Sequence, residues 1–157
     1  MQNYKVIHQP TIRIIGIECR TSNAPEAGPY DIPKHWEKFY NENIISQIPN
    51  KISDEVIALY CDYEGDYTKP YSLVIGCKVS SSTDIPTAMV SKTIPEGSYA
   101  MFLAIGEHPQ ALIETWGRIW HQSNLDRTYT GDYEVYGEKF AKSPQEVDVC
   151  IAIKNSF

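Results

Sequence analysis

Basic residues are few in this chain. Lysine and arginine number 14 against 20 aspartates and glutamates, leaving a net charge of −6. A nucleic-acid surface is built on clustered positive charge, so direct nucleic-acid binding is not expected. No apolar run reaches the length that spans a bilayer. The first ten residues, MQNYKVIHQP, carry neither the basic nor the apolar stretch of a secretory signal, and a cytoplasmic location is the expectation. The four cysteines, Cys19, Cys61, Cys77 and Cys150, form no C-x-x-C pair, which removes the usual zinc and thiol-redox motifs. Their apolar settings predict buried, reduced thiols, with a Cys61–Cys77 bridge as the disfavoured alternative. His8, His35, His108 and His121 lack metal-ligand spacing, and neither a metal nor a cofactor is expected. Glycine-rich phosphate loops, dinucleotide fingerprints and nucleophile elbows are also missing.

What is present is aromatic. Eleven tyrosines and three tryptophans stand in 157 residues, against an otherwise ordinary 42% hydrophobic content. The chain also repeats itself at an offset of 76 residues. Pro33 maps to Pro109, Tyr40 to Trp116, Ile44 to Trp120, Tyr60 to Tyr136, Leu73 to Val149, Ile75 to Ile151 and Lys78 to Lys154. Repetition sets architecture, so it ranks ahead of local signals. The two copies, about 1–80 and 81–157, each read as strand, helix, strand, strand.

In the first copy, residues 5–17 are β-branched and broken by Pro10. Residues 22–33 are a Pro- and Gly-rich loop, and 33–45 carry a helical stripe of Trp36, Phe39, Tyr40 and Ile44. Strands follow at 56–63 and 71–79. In the second copy the strands are 89–94 and 99–105, a helix spans about 109–121, and strands at 133–140 and 146–154 close the unit. The predicted fold class is α+β: a pseudo-twofold pair of units forming a mostly antiparallel sheet with two helices on one face. The two units occupy nearly all of the chain as a single domain, leaving no room in it for a helix-turn-helix. A groove at the pseudo-twofold axis is a natural ligand site.

One residue breaks the pattern. Tyr133-Glu134-Val135-Tyr136 reads as a buried strand with a carboxylate inside it. Strand alternation places Glu134 and Tyr136 on one face. At the repeat offset Glu134 corresponds to Ala58 and Tyr136 to Tyr60, so the tyrosines are paired about the axis and the carboxylate is not. Glu134 either faces solvent or a basic side chain, or is buried among aromatics, where a cation would compensate it. Trp116 and Trp120 share a helix face, with core packing as the plain reading for at least one. Trp36 carries the same ambiguity. Tyr63, Tyr67 and Tyr71 flank a hairpin loop at 64–70 and are read as a rim or as ordinary strand composition.

The element order, the near-repeat, the turn Ile94-Pro95-Glu96-Gly97-Ser98-Tyr99-Ala100, the helix at 112–120 and the Tyr133-Glu134-Val135-Tyr136 strand together resemble the GyrI-like effector-binding domain. That family includes the ligand-sensing parts of AraC-type and MerR-type multidrug regulators and proteins related to the DNA gyrase inhibitor. The resemblance implies that Glu134 lies at the base of a pocket for lipophilic cations, with Tyr136 beside it. Tyr60, Trp116, Trp36 and Tyr71 are the further ligand-contact residues expected. A small cationic or aromatic molecule is the expected partner, and a regulatory protein would have to supply any DNA contact. Two alternatives stay open. One is a hydrolase of strained compounds, with Glu134 as general base and Tyr60 or Tyr136 as proton donor. The other is an inhibitor of a gyrase-like protein.

Overall fold

Two strands of this protein are apolar on both faces, and they lie near the middle of its sheet. They are β3 (Val56–Cys61) and β4 (Tyr71–Lys78), continuous apolar runs buried almost throughout. The computed structural model describes residues 4–122 and 124–154. The other strands are β1 (Lys5–Gln9), β2 (Ile12–Thr21), β5 (Val90–Ile94), β6 (Gly97–Ile105), β7 (Asp132–Tyr136) and β8 (Glu146–Ile153). All eight join one antiparallel sheet in the order β1-β6-β8-β7-β3-β4-β2-β5.

The centre of that order carries the repeat. β3 and β7 pair with Ala58 opposite Glu134, Val56 opposite Tyr136 and Tyr60 opposite Asp132. Residue 58 thus faces its own counterpart across the ladder, and Tyr60 and Tyr136 lie diagonally on either side. Outward from there, β4 answers β8 and β2 answers β6. The edges depart from two separate strand-helix-strand-strand units, because β1 pairs with β6 and β5 pairs with β2. Each edge strand belongs to the opposite half. Pro10 and Pro95 sit where β1 passes to β2 and β5 to β6, and proline interrupts a ladder because it has no N–H to donate.

Three helices flank the sheet: α1 (Gly28–Asn41), the single turn α2 (Ile44–Gln47) and α3 (Gln110–Trp120). α1 begins five residues earlier than its sequence predicts. Pro29 suits the first turn, where its missing N–H has no partner anyway. Pro33 lies inside the helix and forfeits only the bond to the carbonyl of residue 29, while the burial of His35 and Phe39 holds the turn in place. β7 ends at Tyr136, short of the predicted 140, and a turn of 3-10 helix at Glu138–Ala141 follows.

The helices cover one face. α1 packs Phe39 against Ile15, Ile17, Leu73 and Ile75, and α3 packs Ile119 against Phe102, Val149 and Ile151. Trp116 and Tyr136 touch both clusters, so the junction of the two halves lies beneath them. The other face buries Ile14, Ile57, Leu59, Tyr99 and Tyr133, with no helical residue in that cluster. Cys61 belongs to this far cluster and Cys77 to the helical one. Opposite faces exclude the bridge, and all four thiols are free. Cys19 is half-buried rather than buried as expected. Burial pushes the Cys61 and Cys150 thiols up to about 12 and those of Cys19 and Cys77 to about 11. Among the described residues no helix is long and apolar enough to cross a membrane.

Gly16 and Gly76 face each other across β2 and β4. A Cβ on Gly76 would collide with the carbonyl oxygen of Ile15, and one on Gly16 with that of Ile75. Backbone cannot step aside as a flexible side chain can. Gly76→Ala is therefore expected to cost about 1–3 kcal/mol of stability in urea unfolding. A loss within experimental error would show that the two strands separate freely.

Candidate functional site

β7 carries three side chains to the helical face: Asp132, Glu134 and Tyr136. Glu134 is fully buried, with no exposed surface. An ionised carboxylate there needs donors, and it has three. Tyr136 donates to Oε1 at 2.7 Å, while Trp116 Nε1 and Tyr60 donate to Oε2 at 2.7 and 3.0 Å. The two tyrosines that the repeat relates thus converge on the single carboxylate between them. Burial raises the Glu134 pKa above 4.5, and the bonds from Tyr136, Trp116 and Tyr60 oppose that rise. Burial first, and then the Glu134 charge, push the Tyr60 and Tyr136 phenols well above 10. Both remain neutral donors at physiological pH.

Above this cluster, between α1 and α3, lies a cavity of about 660 Å³. That size lies within the range of small-molecule pockets, as does its mostly apolar wall with a few polar groups. All six residues singled out from the sequence line it: Trp36, Tyr60, Tyr71, Trp116, Glu134 and Tyr136. Their rings are arranged edge-to-face. Trp36 meets Tyr136 at 4.9 Å, Trp116 meets Tyr60 at 5.3 Å, and Tyr60 meets Tyr71 at 5.6 Å. In such pairs one ring turns its edge to the face of the other, and the quadrupole of any uncovered ring face attracts cations. Tyr71 is not a rim residue, because it is buried and hydrogen-bonds Asn23 at 2.7 Å.

Sequence reasoning left other lining residues undecided or unseen. Trp120 lines the cavity beside Trp116, and Tyr67 from the β3–β4 loop stacks on it at 5.7 Å. A tryptophan pair at helical spacing reads equally well as core, so periodicity could not separate the two roles. Arg127 was not singled out at all. It lines the cavity and pairs with Asp132 at 2.8 Å, with side-chain exposures of 6% and 0%. Asp132 also accepts from Tyr63 at 2.6 Å and from the Ala152 N–H at 2.8 Å. Burial is the largest influence on the Arg127 charge and disfavours it, but Asp132, Tyr63 and Tyr129 together reverse it and the net shift is upward. Asp132 shares its face with Glu134 by simple alternation, a signal that was available in the sequence.

Comparison with known proteins decides the kinship. The sequence profile of the Cass2 family, the integron-associated effector binding proteins, matches residues 5–153. The chain belongs to this family. It is 30% identical over 155 residues to YobU of Bacillus subtilis (strain 168), named as a candidate transcriptional regulator, with 95% of this chain and 96% of that one covered. Among solved structures, the integron cassette protein VCH_CASS2 from the mobile metagenome of Vibrio cholerae superposes with a TM-score of 0.76 at 29% identity, over 98% of this chain and 97% of that one. SAV2435, solved with tetraphenylphosphonium bound, superposes with a TM-score of 0.80 at 19% identity, over 98% and 94%. At that identity the likeness is one of fold. The effector-binding resemblance read from the sequence therefore holds, and this is an effector-binding protein by family.

Proposed function

We propose that the cavity binds lipophilic organic cations. The observation that carries this reading is the fully buried Glu134 at the cavity wall, ringed by Tyr60, Trp116 and Tyr136. Neutral donors satisfy its hydrogen-bonding but do not cancel its charge. A cation against the ring faces supplies the missing counter-charge, at a site where low dielectric strengthens the attraction. The tetraphenylphosphonium found in SAV2435 is a ligand of this chemistry on the same fold. The net charge of −6 adds long-range attraction for cations.

Hydrolysis with Glu134 as base has weaker support. Its raised pKa suits a base, but three donors already occupy the carboxylate oxygens.

The binding reading is tested by pH. A cation favours the ionised form of Glu134, and the raised pKa means that protonation competes at a higher pH than for an ordinary carboxylate. Tetraphenylphosphonium affinity is expected to be level at high pH and to fall once the pH drops toward the raised Glu134 value. Binding near that value should release protons, measurable by calorimetry in buffers of different ionisation enthalpy. A pH-independent affinity with no proton release contradicts the reading. On stability the same shift acts the other way. Folding tolerates the neutral carboxyl better, so this contribution is fully present below about 4.5 and is lost as pH rises through the folded value.

A further inference from the structure

Two charged side chains line the cavity, and they are of opposite sign: Glu134 and Arg127. Glu134 is fully engaged. Arg127 is not. Its Nη2 donates to Asp132, but Nε and Nη1 are buried with no hydrogen-bond partner among the described residues. The Tyr129 ring stacks on the guanidinium at 4.3 Å, which serves the charge but satisfies no N–H. Buried donors are nearly always paired in folded proteins, and each orphan carries its full desolvation cost. Two such orphans on one side chain at a cavity wall mark a place built for an acceptor.

We propose that the cavity selects lipophilic cations that also carry a neutral hydrogen-bond acceptor, such as an amide or ester carbonyl, docked on Nε and Nη1 of Arg127. This rests on the cation reading above and narrows its ligand class. Charge balance fixes the acceptor as neutral. With Glu134 ionised, Glu134 and Asp132 carry two negative charges and Arg127 one positive charge. A monocation closes that balance, and a ligand carboxylate would reopen it beside Asp132. Asp132 and Glu134 stand two residues apart on one strand face, roughly 7 Å along the strand, so the Arg127 that Asp132 holds lies beside the cation site. Neither nitrogen is exposed, so the acceptor reaches them as a covering side chain moves.

Two isosteric probes test this: (4-carbamoylbutyl)triphenylphosphonium and (5-methylhexyl)triphenylphosphonium. They share the cation and the shape of the tail and differ in the terminal amide, whose oxygen is the acceptor offered to Arg127. The more polar amide gains nothing from a purely apolar wall. Wild-type protein is expected to bind the amide probe about tenfold more tightly, equivalent to about 1.4 kcal/mol. Arg127→Lys keeps a charge opposite Asp132 but loses the planar fork, and should bring the ratio of the two affinities near one. Equal or weaker binding of the amide by wild type overturns the proposal, and that comparison decides alone if the variant does not fold. A preference that survives Arg127→Lys also overturns it. So does tighter binding of a carboxylate-tipped probe than of the amide. If wild type binds neither probe, it is the cation reading itself that has failed.

Discussion

Glu134→Gln is expected to lower tetraphenylphosphonium affinity about 100-fold, a loss of roughly 3 kcal/mol, within the range for removing one member of a desolvated charge pair. The substitution keeps the shape and removes only the charge. The amide oxygen can go on accepting from Tyr60 and Trp116, at the place of Oε2. The amide nitrogen then lies at Oε1, where the Tyr136 hydroxyl can turn and accept from it. The variant should therefore fold, and its defect should be confined to cations. A neutral aromatic of similar size, such as triphenylphosphine oxide, is expected to bind wild type and variant alike. Titration of tryptophan fluorescence measures both ligands, since all three tryptophans line the cavity. An equal loss for charged and neutral ligands would mean that Glu134 shapes the site rather than charging it.

Asp132→Ala is expected to destabilise the fold by about 3–5 kcal/mol, the cost of leaving a buried charge without its partner. The carboxylate holds the Tyr63 hydroxyl, the Ala152 N–H and the Arg127 guanidinium, and its own side chain and that of Arg127 are only 0% and 6% exposed. Without it, Arg127 would have no acceptor for any of its side-chain N–H groups among the described residues. Replacing both members, with Asp132→Leu and Arg127→Met together, should recover much of the loss, because well-packed apolar groups commonly match a buried ion pair. Urea unfolding of the two variants against wild type checks this. A single-variant loss below about 1 kcal/mol would show that the pair behaves as a solvated surface bridge.

The site was more legible in the sequence than its frame. The carboxylate on an apolar strand, its tyrosine neighbour and the tyrosine at the repeat offset follow from alternation and spacing alone. The register confirms that geometry, with Ala58 opposite Glu134. The start of α1 was hidden because Pro29 and Pro33 carry the composition of a loop, and only the packing of the helix reveals that they lie inside it. The crossing of β1 and β5 to opposite halves was hidden for another reason. An edge strand shows the same alternation whichever half it joins, so pattern cannot name its neighbour. Arg127 lies in an irregular segment between α3 and β7, where no periodicity reports which way a side chain points.

The most direct measurement is a crystal structure of the protein with tetraphenylphosphonium. The cation should lie in the cavity between α1 and α3, packed against Trp36, Tyr60 and Trp116, with Glu134 as its nearest carboxylate. A cation bound elsewhere, or one in the cavity nearer another acidic group than Glu134, would contradict the account.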